Sequence, residues 1–416
     1  MSAQGHRPST EGRAEQEIPD YRPDVPAVER FIPFGEPLIG EEEIAEVVET
    51  LRSGWIGTGP KVEQFEREFA SYIGCRDAVA VSSCTAGLHL SLLVSGVSPG
   101  DEVITTTMTF AATVNVIVHV GAVPILVDID ERTLNLTADQ IKQAVTPRTK
   151  AVIPVHFGGL PCDLSAINEL AAHYGLAVIE DSAHALGGRY GGKLIGSSGN
   201  LACFSFYPNK NITTIEGGMI TLDDPELAEK LRIWRLHGLG TDAWERYRSK
   251  RLILSEILYP GFKYNMTDVQ ASLGIHQLRN IEQFLAIRES YAEILDTTLD
   301  PFIRAGYVRT QPRPPAGSQD RHALHLYVVL INPARFKVNR DRIVEALRAE
   351  NIGAGMHYRA IHLHPYYREL FREWSFPVAN QVSEATLTLP LSPKLSRGEM
   401  ESVARGLERV LNFFAL

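Results

Sequence analysis

Cysteine is scarce in this chain: Cys75, Cys84, Cys162 and Cys203 are all it has, and no two form a CxxC pair. That spacing excludes a disulfide framework and a thiolate zinc ribbon. It suits a reducing compartment, so a cytoplasmic protein is expected. No apolar run is long enough to cross a bilayer, and the polar N-terminus lacks the apolar centre of a secretory signal. A membrane is therefore not an expected partner. No Lys/Arg block stands out against the net charge of −9, which also argues against nucleic acid.

What remains is an ordinary globular balance, 44% hydrophobic and 22% charged, long enough for a large domain and a smaller one. Residues 1–27 are polar with scattered Pro and Gly and read as a disordered tail. Residues 28–287 read as a large domain and 288–416 as a small one. Apolar strand patterns at 102–105, 123–127, 151–155 and 176–180 alternate with helical periods at 109–120, 137–144 and 163–173. That alternation predicts an α/β fold with a mostly parallel sheet flanked by helices, whose ligands bind beyond the C-terminal strand ends. Residues 267–286 carry one helical period, a long helix surrounds Glu289, and a strand, a helix and a final helix follow at 325–331, 341–347 and 396–411.

The chain is organised around residues 199–220, GNLACFSFYPNKNITTIEGGMI. A buried-strand run at 201–206 ends in the turn Tyr207-Pro208-Asn209, followed by a single lysine, Lys210. A lone lysine is most often a surface residue on a hairpin. Upstream, AVIEDSAHAL ends an apolar run in Glu180-Asp181. A strand-end carboxylate with a downstream lysine is the pairing that pyridoxal phosphate needs: the amine takes the aldehyde, and the carboxylate keeps the ring nitrogen protonated.

Other candidates are weaker alone. Ser82-Ser83-Cys84-Thr85-Ala86-Gly87 joins a strand to a helix and offers backbone N–H groups to an anion, or simply caps the helix. It has neither the GxGxxG nor the Walker spacing. Phe110 either stacks on a planar ring or packs in the core. His156, beside Phe157-Gly158-Gly159, is either a satisfied buried histidine or a site residue. Arg246, Arg248, Lys250 and Arg251 form a basic cluster that either meets a diphosphate or is a solvated face. Residues 352–367 are rich in His and Tyr. With few carboxylates near, they suit a polar substrate rim better than a metal, and no metal site is expected.

Together these motifs carry a resemblance. Ser205-Phe206, Lys210, Thr213-Thr214 and Glu216-Gly217-Gly218-Met219 are similar to the lysine motif of the DegT/StrS-like nucleotide-sugar aminotransferases. Glu180-Asp181-Ser182-Ala183-His184-Ala185 resembles their ring-nitrogen motif, and Pro154-Val155-His156-Phe157-Gly158-Gly159, Tyr264-Asn265-Met266 and His357-Tyr358 also match. The stretches at 237–244, 260–265 and 366–369 are most similar to the branch that makes UDP-4-amino-4-deoxy-L-arabinose. Phe110 stands where that branch has tryptophan, and Ile215 where it has a small residue.

The resemblance implies a fold type I pyridoxal phosphate-dependent aminotransferase with a smaller C-terminal α+β domain. Lys210 would hold the cofactor and shuttle a proton. Asp181 would pair with the ring nitrogen, and His184 would lie near the phenolic oxygen. Thr85, Ala86 and Ser205 would bind the phosphate, and Phe110 would stack on the ring. His156 would contact the ring edge or the substrate, with His325, His357 and Tyr358 on the substrate side. Asn265 would reach the phosphate of a neighbouring subunit's cofactor, giving a homodimer with shared active sites. Glutamate would donate the amine, leaving 2-oxoglutarate, and C4 of a UDP- or dTDP-linked 4-keto sugar would accept it. The amino sugar would serve a polysaccharide, lipid A or a glycosylated natural product. A C3 aminotransferase and a non-catalytic sensor on the same fold are alternatives. A sugar dehydratase would carry histidine in place of Lys210.

Overall fold

The computed structural model describes residues 20–240, 255–315 and 317–416. The basic cluster at 246–251 lies outside the described residues.

The strand and helix periods resolve into β1 (Asp77–Val81), β2 (Glu102–Thr106), β3 (Val123–Val127), β4 (Thr149–Ile153), β5 (Ala177–Asp181), β8 (Leu201–Ser205) and β9 (Gly218–Leu222). A two-stranded ribbon, β6 (Arg189–Tyr190) and β7 (Lys193–Leu194), interrupts them. The seven long strands form one sheet in the order β1-β9-β8-β5-β4-β2-β3. Pairing is parallel from β8 through β3, and only β9 runs against the rest. Apolar runs such as AVIED and LACFS are buried almost throughout, as strands covered on both faces must be. Because the strands share a direction, the turns after β1, β2, β4, β5 and β8 meet at one edge. The separation of 29 residues from Asp181 to Lys210 (210 − 181) takes in the connection between neighbours β5 and β8, then β8 itself and the turn after it, and Asp181 pairs with Cys203 across the two strands.

Helices cover both faces: α1 (Glu41–Ser53), α2 (Pro60–Ile73), α3 (Cys84–Val94), α4 (Ala111–His119), α5 (Ala138–Ala144), α6 (Leu164–Tyr174), α7 (Pro225–Trp234) and α8 (Asp268–Arg279). The helical period expected over 267–286 is divided at Asn280. That residue ends α8 and begins α9 (Ile281–Arg304), the long helix expected around Glu289.

Helix α9 passes through two cores. Ile281, Phe284 and Leu285 pack with Phe65, Phe69, Phe204 and Met219 under the large sheet. Tyr291, Ala292, Leu295, Leu299 and Phe302 pack in a second core with a three-stranded antiparallel sheet, β10 (Val308–Thr310), β11 (Tyr327–Ile331) and β12 (Thr386–Leu389). Helices α10 (Arg340–Ala349) and α13 (Arg397–Phe414) cover that sheet, and α11 (Pro365–Leu370) and α12 (Pro377–Ala385) lie between them in sequence.

The second core also takes up the start of the described chain. Val28 and Ile32 are buried in it, and Ile32 pairs with Ile352. Residues 20–27, placed in the expected tail, lie against the same unit: Tyr21 Oη and the Ala27 N–H both donate to the buried Glu350 carboxylate.

The paired glycines after Lys210 have a packing cause. A Cβ on Gly218 would sit 2.6 Å from Cys84 N and 2.6 Å from the Ser83 carbonyl carbon, so only hydrogen lets β9 pass beneath the start of α3. Neither contact is the far end of a flexible side chain. Gly218→Ala is expected to cost about 1–3 kcal/mol, read as a lowered denaturant midpoint. An unchanged midpoint would show that the α3 start moves freely.

Candidate active site

Asp181 closes β5 with its side chain on the site face of the sheet. Its Oδ2 accepts from Thr113 Oγ1 at 2.7 Å, and Thr113 in turn meets Thr109 Oγ1 at 2.7 Å. Its Oδ1 accepts from the Ala183 N–H at 3.2 Å. Burial pushes this carboxyl up, and the two donated bonds oppose that rise. The neighbouring residue points the other way. Glu180, fully buried, faces His156 Nε2 at 3.1 Å and accepts from Ser198 and Asn200.

That alternation corrects the expectation for His156. Its ring is completely buried, with Nδ1 accepting from the Cys162 N–H at 3.0 Å and Nε2 on Glu180. Neither nitrogen is left for a cofactor or a sugar. Burial works against the Glu180 carboxylate, but the His156 contact and its other donors outweigh it and hold that group below its ordinary range.

Lys210 follows β8 in a turn that its own N–H closes on Tyr207 O at 2.9 Å. Its Nζ lies 3.4 Å from His325 Nε2. Burial lowers this amine to about 8, against the opposing pull of Asp181. Three further rings surround it. His184 lies 4.4 Å from His325, centroid to centroid, and stacks on Tyr358 at 6.0 Å. The Gly158 N–H donates to His184 Nδ1 at 3.3 Å, so the ring proton belongs on Nε2, which meets Tyr358 Oη at 3.1 Å. Tyr358 is then left with its own O–H to donate elsewhere. His357 bonds Thr388 Oγ1 through Nδ1 at 2.8 Å and packs on Phe34. Burial, then the positive Lys210, drive His184 and His325 well below the ordinary histidine range and His357 to about 4.

Phe110 caps α4 with its ring 61% exposed and 6.1 Å from Tyr358, free to meet a ligand over the site. Thr85 opens α3, and its hydroxyl bonds to nothing among the described residues. Ala86 is less available than expected, because Ser83 Oγ already accepts from its N–H at 3.1 Å. Ser205 ends β8 and receives the Tyr207 N–H at 3.4 Å. Asn265 stands apart from the lysine cluster. It pairs with Val81 and shares its side chain between Thr58 Oγ1 at 2.7 Å and Lys263 Nζ at 2.8 Å.

The structure thus gathers Lys210, Asp181, His184, His325, His357, Tyr358 and Phe110, with the α3 start at the same sheet edge. Pyridoxal phosphate fits this set on the structure's own terms. The site has a depressed amine for the aldehyde, a buried carboxylate for the ring nitrogen and a helix N-terminus for the phosphate. Three buried polar atoms in residues flanking or facing that pair, Ser182 Oγ, Asn209 Oδ1 and His325 Nδ1, have no partner among the described residues. Buried polar atoms are ordinarily satisfied, and unpartnered ones beside the pair fit a site built for a polar group. Sequence reading missed Thr113. A threonine one turn after Thr109 at a helix start carries no signal until the sheet places it against Asp181.

Known proteins agree with this geometry. Residues 37–408 match the model of the DegT/DnrJ/EryC1/StrS aminotransferase family. The spore coat polysaccharide biosynthesis protein SpsC of Bacillus subtilis is 46% identical over 386 residues, covering 92% of this chain and 97% of that one. The structure of Spr1654 from Streptococcus pneumoniae in its PLP form superposes with a TM-score of 0.82 at 35% identity, over 92% of this chain and 98% of that one. DesV from S. venezuelae gives 0.79 at 32% identity, over 89% of this chain and 94% of that one. The chain belongs to the DegT/DnrJ/EryC1/StrS aminotransferase family, and is a fold type I, pyridoxal phosphate-dependent sugar aminotransferase.

Proposed function

We propose that this enzyme moves the amino group of glutamate to C4 of a UDP- or dTDP-linked 4-keto sugar, working as a cytoplasmic homodimer with shared active sites. The observation that carries the chemistry is the buried Lys210 amine, lowered to about 8, facing the Asp181 carboxylate from the adjacent strand. The C4 position rests on the motifs shared with the UDP-4-amino-4-deoxy-L-arabinose branch. The part of SpsC in spore coat polysaccharide biosynthesis supports a polysaccharide as the destination.

Pyridoxal phosphate, when bound, supplies an electron sink that stabilises negative charge on the carbon losing or gaining a proton. The chain's residues do the rest. Lys210 Nζ would hold the cofactor and then shuttle the proton between the cofactor and the substrate carbon that loses or gains the amine. Asp181, oriented by Thr113 and Ala183, keeps the ring nitrogen protonated. Thr85 and Ser205, with the α3 N-terminus, take the phosphate, and Ala86 joins them by releasing Ser83. Phe110 covers the ring. His184, fixed in its Nε2–H form, turns the Tyr358 hydroxyl outward as a donor. His325, His357 and Tyr358 line the substrate side.

Exposed apolar residues support the dimer. Ile44, Val48 and Leu51 form a stripe on α1, and Tyr207 and Ile215 stand exposed beside the lysine loop, at 49% and 58%. A stripe of this kind on a soluble enzyme is most simply an interface.

The substrate assignment is tested by a panel of UDP- and dTDP-linked 3-keto and 4-keto sugars with glutamate. A 4-keto sugar is expected to give the highest kcat/KM, and preference for a 3-keto sugar overturns the C4 assignment. Lys210→Ala is expected to stay folded by circular dichroism while turnover falls to background.

The amine also sets a pH dependence. Only neutral Lys210 attacks the aldehyde, so covalent loading of the cofactor-free enzyme should rise with pH with its midpoint near pH 8 and level off above it. An unperturbed lysine would have its midpoint near ~10.4. A loading midpoint near the latter value would mean that the amine is solvated.

Shared sites are tested by mixing Lys210→Ala subunits with Asn265→Ala subunits. If Asn265 serves the neighbour's cofactor, one site of each mixed dimer carries both lesions and the other none, so activity partly returns. No return, despite proven subunit exchange, would place Asn265 in its own subunit's site.

A further inference from the structure

Arg288 lies on α9 where the helix leaves one core for the other, between Leu285 and Tyr291. It is 4% exposed, and no carboxylate pairs with it among the described residues. Instead Nη1 donates to two carbonyls, Leu324 O at 3.2 Å and Leu391 O, and its Nε–H bonds to nothing among the described residues. A buried, unpaired guanidinium costs several kcal/mol or is compensated by what it holds.

What it holds is a strained peptide. Leu324 has φ +48, in the left-handed region that a branched apolar residue avoids. Both ends of that residue are clamped: its N–H donates to His322 Nδ1 at 2.9 Å, and its carbonyl takes Arg288. The next residue is His325, whose Nε2 meets Lys210 Nζ at 3.4 Å. With Nε2 accepting from the Lys210 amine, the ring proton sits on Nδ1, which has no acceptor among the described residues. Among the described residues the His325 ring therefore has no hydrogen bond but the one to Lys210, and its aim is set by the backbone behind it.

We infer that Arg288 is a positioning residue. It holds the Leu324 peptide in its left-handed form so that His325 Nε2 stays on Lys210 Nζ, and through Leu391 it ties that contact to the small-domain loop after β12. This rests on the reading of Lys210 as the cofactor-bearing amine. Charge alone does not describe the role. The groups facing His325 are Lys210, His184, His357 and Arg288, none of them acidic, so the cluster depends on geometry to keep its members together.

A double-mutant cycle on covalent loading tests it. Cofactor-free wild type, Arg288→Met, His325→Ala and the double variant are each mixed with pyridoxal phosphate. The reaction is stopped with borohydride at set times, and the fraction modified at Lys210 is read by mass spectrometry. Each single variant is expected to load at least tenfold more slowly. The double variant is expected to be no slower than His325→Ala, because neighbours acting as one unit are non-additive. Arg288→Lys, which keeps one donor to the carbonyls, is expected to fall between Arg288→Met and wild type.

Wild-type loading by Arg288→Met overturns the inference, as do losses that multiply in the double variant. If Arg288→Met does not fold, the same cycle is run with Arg288→Lys and judged by the same two outcomes. Failure of the wild-type protein to load at Lys210 would instead overturn the reading of the lysine itself.

Discussion

A lysine amine in the turn after β8 and an aspartate carboxylate at the end of neighbouring β5 are held out of water at one edge of a mostly parallel sheet, and much of the molecule serves that pair. Burying either group alone is unfavourable, because each loses its hydration. The sheet direction brings both to the same edge. Thr113 and the Ala183 N–H supply Asp181 with donors, and the surrounding histidines stay neutral beside Lys210 because burial and the nearby cation both disfavour their charged forms. Burial also makes the lysine give up its proton more readily than a solvated one, which frees a nucleophilic amine, and an ionised carboxylate can stabilise a protonated ring nitrogen. The chemistry of the family therefore follows from where two strand ends fall.

Supports converge on this edge from distant parts of the chain. The Gly158 N–H fixes the tautomer of His184, and Tyr358 reaches His184 from the small-domain segment. Phe34, near the start of the described chain, packs on His357, and the close approach of Gly35 to Asn209 brings that same segment against the lysine turn. None of these partners is near its target in sequence. The contacts that Tyr358 and Phe34 make need the C-terminal third of the chain in place together with the large sheet or the N-terminal segment.

Much of the architecture was legible because apolar runs and turns report local geometry. The β5 and β8 runs, the turn before Lys210, and Asp181 at a strand end could all be read directly from residue order. So could the helix after Ser83. What stayed hidden depends on side-chain direction and on distance. Whether His156 faced the ligand or Glu180 was a question of strand register, and the alternation of Glu180 and Asp181 settles it toward burial. Thr113 and Arg288 carry no motif, since an ordinary threonine and an ordinary arginine gain meaning only from what folds against them. The division of one helical period at Asn280 was invisible because apolar residues keep nearly the same spacing on both sides of the break.

The placement of Val28 and Ile32 in the core of Leu407, Val410 and Phe414 has a consequence for biosynthesis. Residues 62–285 contain the whole hydrophobic layer that α2 and α9 bury beneath the large sheet, so that layer can condense while the chain is still being made. The second core cannot. Its first members wait on the ribosome's surface for partners nearly the length of the chain away, and closing so long a loop is slow. Translation therefore leaves an apolar N-terminal segment uncovered for most of synthesis. Phe34 belongs to that same segment, so its contact with His357 also joins parts of the chain made far apart in time.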